Sequence, residues 1–389
     1  VSFLPAELKA KVSQKIIAEK DLIYKIALDI GENPELGLAE FKASALLSDT
    51  LQDIGFEVER GVGGLKTAFR ASLGTGGPNI AVLLEYDALP DLGHACGHNL
   101  IAAGGLGAAL GLAPFLAEMG GQLTVLGTPA EETAGGKAVL VEQGLFHSIA
   151  AAMMWHPSCE NLLMSTSTAL DAYEFTFLGR AAHAADSPWA GINALDGVIQ
   201  LFNGVNALRE HLADGVRIHG IITDGGKTPN IVPAAAKARF YLRAPGRRDL
   251  DEVVEKVKAA AQGAALISGT QVEWRKFENS NDNLKPNRAL ALAFGANLER
   301  LGVLEIEEFA PGSGSSDMGN VSQVVPAIHP YLSIGEDLTA HTAAFARASI
   351  SKRGLEVALL AAQALAYTAV DLYTNDEFFQ AVQKEFETR

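Results

Sequence analysis

The chain has 389 residues, 48 % of them hydrophobic and 20 % charged, with 46 acidic against 31 basic side chains and a net charge of -15. That length accommodates two domains, and the composition is that of a globular protein. The acidic excess argues against nucleic-acid or anionic-membrane partners, both of which reward clustered Lys and Arg.

Cys96 and Cys159 are too few for a disulfide framework, so a reducing, cytoplasmic location is the expectation. The N-terminal VSFLPAELKAKVSQKIIAEK carries an amphipathic helix pattern and not that of a signal peptide. No apolar run reads as long enough to span a bilayer. Leu100–Leu116 comes nearest, but it is Gly- and Ala-rich and reads as a buried helix.

Along the first part of the chain, strand-like and helix-like runs alternate. Asn79–Leu84 predicts a buried strand, Leu100–Met119 a helix, Gln122–Gly127 a second strand and Ala151–Trp155 a third. Such alternation predicts an α/β layer around a mostly parallel sheet. Near Asp171 the period changes: Tyr173, Phe175 and Phe177 alternate, as in a half-buried strand. Helical spacing follows at Leu195, Val198, Ile199, Phe202, Val205 and Leu208. Strands near Val216–Thr223 and Lys237–Arg243, a helix over Leu250–Ala264 and a strand near Gln271–Phe277 complete a β-α-β-β-α-β order, that of a ferredoxin-like split unit. Residues 170–281 are therefore expected to be an α+β domain inserted between segments 1–169 and 282–389 of a larger one. Beyond it the pattern predicts a helix over Arg288–Leu301, a Gly/Ser loop PGSGSSDMGN, a strand over Ala327–Ile334 and a closing helix over Ser349–Leu372.

Chemistry concentrates at strand ends. EYDALPDLGHACGHNLI (residues 85–101) follows the first strand and holds Cys96 and His98, a thiol and an imidazole suited to a borderline-soft divalent metal. The second strand ends in TPAEE, with Glu131 and Glu132, and the third ends at His156. Singly, each has a bland reading: a structural loop, a solvated acidic turn, a surface turn before Pro157. Recurring together at the carboxyl ends of three strands, they mark where an open α/β sheet places its site.

The stretches YDALP, GHACGH, TPAEE, MWHP and LTAHTAAF occur in that order. Together they resemble the co-catalytic metallopeptidase and amidohydrolase family of aminoacylases, carboxypeptidase G and indoleacetyl-amino-acid hydrolases. EYDALPDLGHACGHN is most similar to the branch of p-aminobenzoyl-glutamate and β-alanyl-dipeptide hydrolases, and the likeness covers essentially the whole chain. The resemblance implies a zinc-exopeptidase-like catalytic domain and an inserted dimerisation, or lid, domain. It implies a homodimer and a pair of divalent ions, zinc or manganese, with cobalt possible. The implied ligands are Cys96, His98, Glu132, His156 and His341, with Glu131 as general base and acid. Many relatives outside this branch carry a metal-binding histidine at the position of Glu85; here Cys96 is read as its replacement, and contact of Glu85 with metal is left open. Asp87 and His94 are read as supports of the ligands. In GRAAHAADSP, His183 is implied to reach a partner subunit's site and stabilise the oxyanion. Asn230, in GGKTPNIVP, is a candidate substrate contact, with Arg243, Gly312 and Gly314 as weaker ones. His147, His211, His219 and His329 read as surface or packing residues, Cys159 as an inert thiol, and Trp189 as cleft or packing.

The implied activity is hydrolysis of the amide in an N-acyl-amino acid, an aminobenzoyl-glutamate-like conjugate or a dipeptide, by a metal-activated water. Two alternatives stand beside it: a hydrolytic deaminase using the same site, and a non-catalytic metal- or ligand-binding member.

Overall fold

In the computed structural model, which describes residues 5–312 and 314–389, the apolar run NIAVLL lies inside a mixed sheet. The strands are, in chain order, β1 (Glu57–Arg60), β2 (Phe69–Leu73), β3 (Asn79–Leu84), β4 (Gln122–Gly127), β5 (Ala151–Met153), β6 (His156–Ser158) and β7 (Leu162–Ser165). There follow β8 (Ala169–Leu178), β9 (Arg217–Asp224), β10 (Ala235–Ala244), β11 (Gln271–Lys276), β12 (Glu307–Ala310), β13 (Ala327–Ile328) and β14 (Tyr331–Ser333). The chain divides into two units. One comprises the chain up to Thr166, Leu284–Gly312 and Ser316–Arg389; the other comprises Ser167–Asn283 and the stretch ending at Ser315. The second unit thus takes in part of the Gly/Ser loop, which the expected boundaries 170–281 leave in the larger domain.

Among the described residues of the first unit, one sheet has the order β1-β2-β4-β3-β5-β13. β3 pairs in parallel with β4 and β5, and β5 with β13, whereas β2 runs antiparallel to β1 and β4. Every residue of β3 is buried, as a strand covered on both faces requires. A second sheet, β12-β7-β14-β6, is not expected from the sequence apart from β14, because its strands are only three or four residues long. The expected strand over Ala327–Ile334 is two, β13 and β14, one in each sheet. Pro330 lies between them and lacks the N–H a continuous ladder needs.

Against the first sheet packs the helix His98–Leu112, all of whose residues are buried. It is shorter than the expected Leu100–Met119, since Pro114 gives a turn of 3₁₀ helix at Ala113–Phe115 before Leu116–Met119 resumes. By length and composition the segments His98–Met119 and Lys352–Thr374 could each cross a bilayer, contrary to expectation. They are instead core elements, 78 % and 67 % buried. The N-terminal pattern forms the helix Pro5–Ala18 and a separate helix Lys20–Glu32; its first four residues lie outside the described residues.

The second unit has the sheet order β11-β8-β10-β9, antiparallel throughout, with helices Ala194–Leu208 and Arg247–Ser268. Tyr173, Phe175 and Phe177 of β8 face a core with Phe240, Leu242, Val198, Leu201, Val254 and Val257. The observed β8–helix–β9–β10–helix–β11 order is the ferredoxin-like unit read from the sequence.

Candidate metal centre

β3, β4 and β5 all run parallel, so their carboxyl ends meet at one edge of the sheet, and the segments following them carry the predicted donors. After β3 the chain makes an irregular loop and enters its helix at His98. Gly97 permits the turn: its φ is 78°, and a side-chain carbon there would meet Pro157 at 2.5 Å. After β4 comes the TPAEE turn. Ala130 at its centre has φ 61°, a left-handed conformation that costs a non-glycine residue about 1–2 kcal/mol. The buried Glu40 holds that turn by accepting the Ala130 N–H at 2.8 Å. His341 is likewise left-handed, with φ 62°, and its N–H donates to the Ala95 carbonyl at 2.9 Å, tying its loop to that of Cys96.

All five predicted metal ligands converge. Donor atoms of Cys96, His98 and His156 lie within 4.8 Å of one another, as do those of Cys96, Glu132 and His341 and those of His98, Glu131 and Glu132. Cys96 Sγ is 3.4 Å from His156 Nε2, and Glu132 Oε1 is 3.2 Å from His341 Nε2. Asp87, buried after β3, accepts a bond from His98 Nδ1 at 2.9 Å and, through its other oxygen, the Glu132 N–H at 3.0 Å. Thus Asp87 fixes one ring and one backbone, leaving His98 Nε2 as the available nitrogen. His94 is buried near His98, and burial pushes its pKa down to about 3.

Among the described residues, the buried ring nitrogens of His94 and His329 have no hydrogen-bond partner, and nor do three atoms where the donors converge: Glu85 Oε2, His98 Nε2 and Glu132 Oε1. Leaving such groups unpaired in a protein interior costs about 1–3 kcal/mol each, more when charged. A divalent cation would satisfy all three, and the thiol, imidazole and carboxylate set fits zinc or a similar ion. Without a cation, burial pushes the Cys96 thiol up to about 12 and holds His156 down to about 4. Burial, with the Glu85 and Asp317 charges, also raises Glu131 well above the ordinary carboxylate range.

Lys137 escaped the sequence reading. It is fully buried on the helix Gly136–Glu142 and donates to Glu85 Oε1 and, at 2.7 Å, to Asp317 Oδ1. His329, read as a surface or packing residue, is 4 % exposed and packs edge-on against His156 at 5.4 Å. The other reserve histidines, His147, His211 and His219, are exposed, as are Cys159 and Trp189.

The remaining predicted residues, apart from Gly312, lie in the second unit. His183 Nδ1 accepts N–H bonds from Ala185 at 3.3 Å and Asp186 at 3.0 Å, which leaves the proton of the neutral ring on the exposed Nε2. The Asn230 segment runs beside it: His183 bridges Ile231, and the Asn230 carbonyl accepts the Ala184 N–H at 3.0 Å. Asn230 Oδ1 is occupied by the Thr228 hydroxyl at 2.6 Å. Arg243, half-buried, donates to Ser315 Oγ at 2.7 Å. Gly314 accepts the Thr168 N–H at 2.8 Å, and Gly312, in the first unit, packs so closely on the Thr166 carbonyl that a side-chain carbon would lie 2.2 Å from it. Gly312 therefore has a structural role in its loop, whereas a side-chain carbon at Gly314 would meet nothing within 4 Å.

The chain is similar to several known proteins. The peptidase dimerisation domain matches residues 169–267. An Xaa-Arg dipeptidase of Mus musculus is 37 % identical, over 98 % of this chain and 93 % of its own. A p-aminobenzoyl-glutamate hydrolase polypeptide of Escherichia coli K12 is 31 % identical over 96 % of this chain and 94 % of its own. A dinuclear metal binding peptidase of the M20 family from Bacillus subtilis shares the fold, with a TM-score of 0.67 over 91 % of this chain and 98 % of that one at 22 % identity. The chain belongs to the M20 family of metallopeptidases and amidohydrolases, and with it to the hydrolases.

Proposed function

We propose that the protein hydrolyses the amide joining an acyl group to an amino acid, as in an N-acyl-amino acid, an aminobenzoyl-glutamate-like conjugate or a dipeptide. The observation that carries this reading is the convergence of Cys96, His98, Glu132, His156 and His341 around buried atoms without hydrogen-bond partners among the described residues, with Glu131 beside them. Those five side chains would hold two divalent ions, zinc or manganese, with cobalt also admissible. Such a pair, when bound, polarises a water and the scissile carbonyl and lowers the water's pKa toward neutrality.

The chain's own residues do the rest. Glu131, adjacent to ligand Glu132 but free of its role, accepts the proton of the attacking water and delivers it to the leaving amine. Asp87 keeps His98 and the Glu132 backbone in register through its two oxygens. His183, with its proton held on Nε2 by two backbone N–H groups, is a donor for the oxygen that gains charge. The dimerisation-domain match supports assembly as a homodimer, in which a partner's His183 would serve this role. Arg243 and Asn230 are the proposed substrate contacts of the second unit.

The test is a set of amides presented to the metal-reconstituted protein: N-acyl-amino acids, p-aminobenzoyl-glutamate and β-alanyl dipeptides. Release of acid and amine in equal amounts supports the reading. Ammonia release without an amino acid product overturns it.

A further inference from the structure

We propose that Glu85 is an additional metal-binding carboxylate of this chain, and that Lys137 and Asp317 form the clamp that aims it. The inference rests on the metal-dependent reading above and deepens it.

Glu85 has two differently engaged oxygens. Oε1 accepts from the Lys137 ammonium, which also donates to Asp317 Oδ1 at 2.7 Å. Asp317 in turn accepts the Lys137 backbone N–H through Oδ2 at 2.8 Å, so that lysine is held at both ends. The three side chains are 0–1 % exposed and cannot reorient into solvent. With Oε1 fixed, Oε2 points at His98: the Oε2–Nε2 separation is 3.3 Å, yet neither atom has a hydrogen-bond partner among the described residues. His98 Nδ1 is already engaged by Asp87, so Nε2 has no other role assigned.

Two unpartnered donors that face each other without hydrogen-bonding are what a shared cation explains. On a tetrahedral ion with bonds of about 2.0–2.2 Å, two ligands lie about 3.3–3.6 Å apart. The observed 3.3 Å agrees with that separation. Glu132 Oε1, the third unpartnered atom, is 4.0 Å from the same nitrogen. The charges agree too: Glu85 and Asp317 share a single ammonium, Lys137, and Glu131 lies in the same group. One ammonium balances the Glu85–Asp317 pair only in part, and the remainder calls for further positive charge.

The clamp also explains a fully buried lysine in the short helix Gly136–Glu142. A surface lysine would be bland; one buried between two carboxylates 52 and 180 residues away in sequence is a positioning device.

The experiment compares the wild-type chain with E85Q. Glutamine keeps the shape and still accepts from Lys137, and the remaining Lys137–Asp317 pair is balanced in charge. Metal content after dialysis, zinc affinity by chelator competition and the visible absorption of the cobalt-substituted protein are measured on both. The wild type is expected to hold two ions per chain. E85Q is expected to lose one, or to bind it at least tenfold more weakly, with altered cobalt bands and an unchanged far-ultraviolet circular dichroism spectrum. Should E85Q be unfolded, the triple variant E85Q/K137M/D317N, which leaves none of the three charges, carries the same expectation. K137M/D317N, which removes the clamp but keeps Glu85, is expected to weaken the same ion. Two ions at wild-type affinity with unchanged cobalt bands in E85Q would overturn the proposal. A wild-type chain that binds no ion would overturn the metal-dependent reading itself.

Discussion

Asp87→Asn isolates how the centre is held. The native carboxylate is acceptor-only, and both its oxygens are used: Oδ1 takes the His98 Nδ1–H and Oδ2 the Glu132 N–H, at 2.9 and 3.0 Å. Asparagine fills the same volume but offers one acceptor and one NH₂ donor. If its NH₂ faces Glu132, two donors oppose each other and the TPAEE turn loses its tie to this strand end. If its NH₂ faces His98, the imidazole must accept on Nδ1 and carry its proton on Nε2, the nitrogen that faces the metal ligands. Either orientation degrades one ligand without removing any. Loss of such a supporting contact costs 10–100-fold in metal affinity, or about 1.4–2.7 kcal/mol. The assay is competition of the apo-protein against a chromophoric chelator, with circular dichroism as a check on folding. Zinc affinity within twofold of wild type in a folded Asp87→Asn protein would refute this account of the centre.

Glu131→Gln is expected to reduce kcat by about 10²–10⁴ while metal content stays at the wild-type level, which separates proton transfer from ligation; mass-spectrometric metal analysis beside steady-state kinetics checks it. His183→Ala is expected to lower kcat by about 10²–10³. Mixing it with Glu131→Gln under conditions that exchange subunits should restore turnover if His183 acts on the partner's site, and two inactive variants that stay inactive when mixed would exclude that. In the second unit, Asp171 is buried and accepts two bonds from Arg247 at 3.0 and 3.2 Å. Burial works to raise its pKa, but the Arg247 bonds and charge outweigh it and hold the carboxyl below its ordinary value. A lowered folded-state pKa gives stability that is complete above the unfolded value, about 3.9, and is lost as pH falls through the folded one. Asp171→Asn should therefore lower the thermal midpoint at neutral pH, with a deficit that shrinks as pH drops below about 4; a deficit independent of pH would contradict the assignment.

Four of the five donors were legible in the sequence because they follow strands whose apolar period announces itself. NIAVLL, QLTVLG and the run ending at Trp155 give parallel strands, and whatever follows them must meet at one edge. His341 has no such strand before it and was reached only through the family resemblance. Lys137 and Asp317 left no trace, because a buried ammonium is recognisable only by partners distant in sequence. The sheet β12-β7-β14-β6 was hidden for a different reason: strands of three or four residues do not complete enough of a period to be counted. Likewise Pro114 and Pro330 broke elements that hydrophobic periodicity alone joined, although proline is a signal that can be read in advance.

The central claim, amide hydrolysis at a divalent-metal centre, is tested most directly by stripping the protein with chelator and restoring single ions while assaying the amide panel. The account predicts negligible turnover in the stripped protein, and recovery with zinc, manganese or cobalt accompanied by stoichiometric acid and amine. Equal turnover with and without metal, or no cleavage of any amide under any of the three ions, would contradict it.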